Sequence, residues 1–212
     1  MVTVAFFVCC CAWLLVSAIY YGYWVIWQRR WVTVTPNEVY QSGWMRPGRL
    51  IRWTRHRNIS TVIDFRGACD KGVKQEAAIL AKAGVRYINI SCGRTPTHHA
   101  ISAFVAIANS ERAAGNRMLI HCKDGQGRAV FFAAVYRMEF GGWRPAEAYL
   151  GTRRLPKALR WIWWLFPRAG LLSYDNPKTA MILNYQPTQS HSVPSQQSGV
   201  GSDRRTAALR AA

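Results

Sequence analysis

The chain has 212 residues, about half of them apolar, and a formal charge of +18, which suits one domain of ordinary size with a core and appendages. The positive charge is spread over everything after residue 28 without a block of about five or six like charges, so no nucleic-acid-binding arm and no specific nucleic-acid partner are expected. A diffuse positive field suits anionic partners in general: phosphorylated substrates, an anionic lipid surface, or nucleic acid by non-specific attraction.

From Val2 to Gln28 there is no charged residue, long enough to cross a hydrocarbon layer of about 30 Å as a helix. Tyr20, Tyr21, Tyr23, Trp24 and Trp27 crowd its far end and Arg29 and Arg30 follow at once, the pattern of an aromatic belt and stop charges. The segment has no basic start and is bulky near its end, unlike a cleaved signal peptide, so residues 1–28 are predicted to be a retained single-pass anchor. Nearby positive charge (Arg29, Arg30, Arg46, Arg49, Arg52, Arg55, Arg57) all follows the helix, and the charge rule places the following domain, residues 29–185, in the cytoplasm.

Residues 31–43 (WVTVTPNEVYQSG) alternate and predict a short extended lead into that domain. Pro47 starts a helix that carries Leu50, Ile51 and Trp53. Thr61–Phe65 predicts a buried strand closed by Arg66-Gly67, Ala77–Ala81 a helix stopped by Gly84, and Val85–Ile90 a second strand. Ser91–Thr97 reads as a loop, and 98–114 as a helix ending at Gly115. Arg117–His121 is a third core strand that runs into Cys122-Lys123-Asp124-Gly125-Gln126-Gly127-Arg128 and then an apolar helix, Ala129–Phe140. Helices near 144–151 and 175–185 complete an α/β domain, a mostly parallel sheet flanked by helices. The aromatic run Leu159–Phe166 is too short to span a bilayer and is expected to be a core helix, with an interfacial patch as the alternative. The stretch 186–212, rich in Ser, Gln and Pro, is expected to be a disordered tail.

Six cysteines form neither a disulfide framework nor a metal-ligand spacing, because Cys9, Cys10 and Cys11 lie in the apolar run and Cys69, Cys92 and Cys122 are far apart. Most read as small buried hydrophobes. Cys122 differs. A strand ending in His-Cys, a loop with two glycines, then Arg and a helix is a device for holding a tetrahedral dianion. Glycines let backbone N–H groups turn inward, and the helix N-terminus adds its positive end. Arg128 can offer a paired hydrogen bond to two phosphate oxygens, and the same field favours the thiolate of Cys122 as nucleophile. His121, at the strand end, is expected to orient the loop by hydrogen bonds and is placed among the substrate-binding residues.

HCKDGQGR resembles the signature loop of the cysteine-based protein tyrosine and dual-specificity phosphatase superfamily. The resemblance runs from about Val34 to Ala148 through VTPNEVYQSG, ISTVIDFRG and VRYINI, the landmarks of compact bacterial members. It implies metal-free and cofactor-free hydrolysis of phosphate monoesters through a phosphocysteine, with Cys122 as nucleophile and Arg128 as phosphate clamp. The substrate cradle would be Lys123, Gly125, Gln126 and Gly127. Arg66, placed among the substrate-binding residues, matches an arginine often found after the first core strand in the family, with a structural ion pair as the equal alternative. Anchored relatives face the periplasm, against the charge rule. Two positions depart from the pattern. The loop Ser91–His99, where relatives carry an aspartic acid that protonates the leaving oxygen, has no carboxylate, so the acid is Asp124 within the loop, or else His98 or His99. Ala129 stands where a hydroxyl residue assists departure of the cysteine. Phosphoprotein is the leading substrate class, a phosphoinositide or other lipid phosphate the alternative. A weak pseudophosphatase that binds phosphorylated partners is the reading of a different class. Arsenate reductases and sulfurtransferases, which also place a loop cysteine before an arginine, rank last.

Overall fold

The computed structural model describes residues 2–152 and 177–188. The expected helix at 159–166 and the tail beyond 188 lie outside the described residues. Residues 186–188 are described, and there the expected tail is tied down: the backbone N–H of Thr188 donates to buried Glu139 at 2.9 Å.

The uncharged N-terminal run forms helix α1, Val2–Gly22, continued by a π-helical turn, Tyr23–Trp27. Thr3–Trp27 is long and apolar enough to cross a membrane, and none of its most apolar window is buried against the rest of the chain. This length and composition are those of a candidate membrane span.

The predicted extended lead is in fact a hairpin. Pro36 and Asn37 break it, Asn37 taking the left-handed conformation at φ 60°. β1 (Val32–Thr35) therefore pairs antiparallel with β2 (Val39–Gly43). The remaining elements fall within a few residues of expectation: α2 (Pro47–Arg57), β3 (Thr61–Asp64), α3 (Lys71–Lys82), β4 (Arg86–Asn89), α4 (His98–Ala113), β5 (Met118–Cys122), α5 (Arg128–Gly141), α6 (Pro145–Thr152) and α7 (Pro177–Leu183). Local chemistry sets several of the ends. Asp70 and Thr97 cap α3 and α4 by accepting from the N–H groups of Gly72 and Ala100, and Asn58 closes α2 in the left-handed region.

The sheet order is β1-β2-β5-β3-β4, parallel except for β1. Alternation along the strands sends side chains to two cores. Val39, Ile63 and Ile120 join Phe65, Phe104 and Phe132 under α4 and α5, where Phe65 stacks on Phe132 at 3.9 Å. Tyr40, Val62 and Leu119 meet Leu50 of α2 and Leu80 of α3 on the other face. Both faces are covered, which explains why the strands read as near-continuous apolar runs. The connection from β2 to β3 steps over β5, and the one from β4 to β5 returns. The chain thus reverses its order at β5, and a crevice opens beyond the carboxyl ends of β2, β5 and β3, where open α/β sheets bind ligands.

Candidate active site

That crevice holds the loop Cys122–Arg128. Cys122 ends β5 and is 3% exposed. Behind it the loop is clamped to β2. Gly125 lies at φ 68°, and a Cβ there would stand 2.5 Å from the N of Gly43 and 2.9 Å from its Cα. Only a residue without a side chain fits so close to a backbone in that conformation. The Gln41 amide donates to the Gly125 carbonyl at 3.0 Å, and Trp44 N–H donates to the Lys123 carbonyl at 3.0 Å. Gly125 is thus a packing residue of the loop. Gly127 starts α5 without a side-chain cap, so the first N–H groups of that helix are left to an anion at its mouth.

Arg128 turns back across the crevice. One terminal nitrogen donates to the Phe65 carbonyl at 2.6 Å and to the Cys92 carbonyl at 3.0 Å. Two loops that follow β3 and β4 therefore fix the guanidinium beside Cys122. A cavity of about 510 Å³ opens in front, lined by Arg30, Arg94, Cys122, Lys123, Asp124, Gln126, Gly127, Arg128 and Lys178. Five of these side chains are basic and Asp124 is the one carboxylate, a setting in which an anion replaces lost hydration with charge-assisted hydrogen bonds. His98 lines a different cavity, between α4 and α7, and His99 lines neither. Of the three candidate acids, Asp124 alone borders the loop cavity.

Arg30, Arg94 and Lys178 had no motif to mark them. Arg30 comes from the junction after the apolar helix and donates through Nη1 to the Asp124 carbonyl at 2.7 Å. The Gln126 carboxamide oxygen, assigned from its partners, accepts from Arg30 Nε at 2.8 Å and also from its second terminal nitrogen.

Two of the expected substrate contacts are placed elsewhere. Arg66 is buried, donating to Asp64 at 2.7 and 2.9 Å and to Glu76 at 2.6 Å, with Asp70 at 3.7 Å. Its guanidinium serves the structural ion pair, not the loop cavity, because three carboxylates around one cation outcompete an approach to the crevice. His121 points the same way: its Nε2 is 2.9 Å from Glu76 and its Nδ1 3.9 Å from Asp64. Alternation along β5 requires this, since adjacent Cys122 faces the other side. His121 supports the loop through the strand, with its side chain in the buried network. Asp64, Glu76 and His121 bring donor atoms within 4.8 Å of one another, a distance set that a metal could use, yet Arg66 already bonds both carboxylates and supplies the positive charge.

Burial works to raise the Asp64 pKa, but the His121 charge and hydrogen bonds from Arg66 and Tyr87 outweigh it and hold the carboxyl below its ordinary 3.8. A depressed carboxylate stabilises the fold fully above its unfolded value and loses that contribution as pH falls through the folded one. Asp64→Asn is therefore expected to cost about 3–5 kcal/mol at neutral pH, because Arg66 loses a buried partner. The loss should shrink below about pH 4. Chemical denaturation at pH 7 and pH 3 measures both.

Cys92, the other buried cysteine near the loop, differs from Cys122 in its surroundings. Burial pushes its thiol up from 9.0 despite the opposing charge of Arg128, and its Sγ lies 3.7 Å from the Phe65 carbonyl. It is held as a thiol, while its own carbonyl anchors Arg128.

A mostly parallel sheet with a glycine-built anion loop, a cysteine at its base and an arginine at its rim is the arrangement of the cysteine-based dual-specificity phosphatase superfamily. The chain belongs to the family described as DSP-PTPase phosphatase fused to NAD+ kinase, whose model matches residues 46–154. Among solved structures it is similar to PTPMT1, at 20% identity over 60% of this chain and 83% of that one with a TM-score of 0.53. It is similar to TpbA of P. aeruginosa, at 19% identity over 74% and 84% with a TM-score of 0.51. The core catalytic domain of the PP-IP phosphatase SIW14 from S. cerevisiae, solved with citrate, is 16% identical over 74% and 85% with a TM-score of 0.54. These likenesses show the fold. No curated protein matches the chain.

Proposed function

We propose that the chain is a membrane-tethered phosphatase, with residues 1–28 as anchor and 29–185 as catalytic domain, that hydrolyses phosphate monoesters through a phosphocysteine on Cys122. The observation that carries this reading is the loop itself: Cys122 at the base of a five-cation cavity, beside an arginine pinned by two backbone carbonyls. Phosphate would be held by the loop backbone, the start of α5 and Arg128. The Cys122 thiolate attacks phosphorus in line and the ester P–O bond breaks, with the leaving oxygen taking a proton from Asp124. Water then attacks the phosphocysteine, Asp124 takes its proton, and the P–S bond breaks to return thiolate and release inorganic phosphate.

Between the two substrate classes, the position and charge of the cavity favour a lipid phosphate over phosphoprotein. Arg30 lies three residues after the last turn of the apolar helix and also lines the cavity, so the groups within reach are those at the surface where that helix ends. Lys123 and Lys178 add point charges that suit phosphorylated headgroups. PTPMT1 has been solved with PI(5)P, which agrees with this choice. The charge rule puts the domain on the cytoplasmic side.

Phosphate release from vesicles carrying a phosphorylated lipid, set against phosphotyrosine peptides, tests the substrate class. Turnover of the peptides alone would return the phosphoprotein reading. In the same assay Asp124→Asn is expected to slow alkyl phosphates by about 10²- to 10⁴-fold. An aryl phosphate with a good leaving group needs little protonation and should change by no more than a few-fold. Equal losses on both would remove Asp124 from the role of acid.

A further inference from the structure

The junction between the apolar helix and the domain is built into the loop. Its backbone is unusual: Arg29 and Arg30 are consecutive non-glycine residues at φ 52° and 55°, a left-handed conformation that the Cβ of an L residue disfavours and that gathers at functional sites. Fixed partners hold it. Arg29 accepts from Gly43 N–H at 2.7 Å through its carbonyl and donates through Nε to the Trp44 carbonyl at 2.8 Å. Gly43 and Trp44 are the residues on which Gly125 and Lys123 of the loop rest. The N–H of Arg30 donates to the Trp24 carbonyl, and Arg49 from α2 seats the helix end by donating to the Trp27 carbonyl at 2.6 Å and covering the Trp27 ring at 4.9 Å. Trp31 then stacks on Trp53 at 4.3 Å.

Against this rigid seat Arg30 reaches the loop with all three guanidinium nitrogens, one to the Asp124 carbonyl and two to Gln126. Asp124 and Gln126 flank Gly125, so one planar fork fixes the loop on both sides of its left-handed turn. A carbonyl of an anion loop that swings inward would set its negative end against phosphate. Holding the Asp124 carbonyl outward keeps the neighbouring N–H groups available to the ligand. A lysine offers one point of attachment and cannot replace the fork.

We propose that Arg30 is a positioning residue of the phosphate loop, so that the docked end of the apolar helix is a component of the catalytic site. The proposal rests on the phosphatase reading for its kinetic consequence and on the hydrogen bonds above for its structural one. The test uses the full chain in nonionic detergent, comparing wild type with Arg30→Ala, Arg30→Lys and Arg52→Ala. Arg52 is exposed on α2, and its variant removes the same charge away from the loop. Turnover of p-nitrophenyl phosphate and binding of inorganic phosphate are measured at equal folded fraction, established by thermal denaturation.

Arg30→Ala should lower kcat/KM by about 10- to 100-fold and weaken phosphate binding by about tenfold, with Arg52→Ala near wild type. Arg30→Lys should recover most of the phosphate affinity, which follows charge, but little of kcat, which follows loop geometry. Full recovery of both by lysine would reduce Arg30 to a bulk charge and overturn the proposal. So would an alanine variant that binds phosphate and turns over like wild type, or a loss equalled by Arg52→Ala. If Arg30→Ala does not fold, the split between affinity and kcat in Arg30→Lys decides. If the wild type hydrolyses nothing, the phosphatase reading fails and the kinetic consequence with it; a loss of phosphate binding in Arg30→Ala that Arg52→Ala does not share then supports the contact to the loop, and equal binding in the two overturns it.

Discussion

Cys122→Ser is expected to lower phosphate release by about 10⁴-fold or more while inorganic phosphate still binds within a few-fold of wild type. The exchange replaces one sulfur by one oxygen at a site that is 3% exposed and backed by β5, so the loop that makes the anion site is retained. The chemistry is lost because a serine hydroxyl needs a base at the attack step, where Asp124 is committed to protonating the leaving oxygen and His121 faces Glu76 and Asp64, on the far side of the strand. Binding without turnover in the variant, with turnover in the wild type, separates an enzyme from a capture module. Binding without turnover in both would establish the pseudophosphatase reading instead. Ala129, buried at the start of α5, brings no hydroxyl to assist departure of sulfur from the intermediate. A rapid-mixing experiment on the wild type should accordingly release about one equivalent of alcohol before a slower steady rate.

Much of this site could be read from the chain because the loop is contiguous. Strand, cysteine, glycines, arginine and helix follow one another within residues 118–141, and each is a local signal of conformation. The hairpin was less legible. Alternation continues through residues 31–43, and the turn rests on Pro36 and a left-handed Asn37, whose effect depends on β2 finding its parallel partner β5 about 80 residues away. The match of Arg66 to an arginine of the family and the position of His121 beside the motif both point to substrate. Side-chain direction decides otherwise: three acidic neighbours, one of them twelve residues from Asp64 on α3, gather them into a buried network. Arg30 lay hidden for a different reason. In the sequence it marks the end of an apolar helix, and only the two left-handed residues that bend the chain back bring it to a loop 94 positions on.

Arg128→Lys is expected to cost about 10²- to 10³-fold in kcat/KM on an aryl phosphate, and Arg128→Ala on the order of 10³-fold or more. The difference follows from what the guanidinium does at once. Its Nη1 is committed to the Phe65 and Cys92 carbonyls at 2.6 and 3.0 Å, which sets the plane and direction of the remaining donors toward the cavity that Arg128 lines. A phosphoryl group passing between oxygen and sulfur carries its charge on three equatorial oxygens, and donors fixed in advance stabilise that charge without reorganisation. Lysine keeps the charge but must choose between the two carbonyls and the phosphate. Ground-state affinity should therefore survive better than rate: the inhibition constant of inorganic phosphate in Arg128→Lys should weaken by about tenfold or less while kcat carries most of the loss. An affinity loss that accounts for the whole effect would mean that Arg128 only holds substrate. Rate near wild type in the lysine variant would mean that the anchoring carbonyls of Phe65 and Cys92 serve the fold alone.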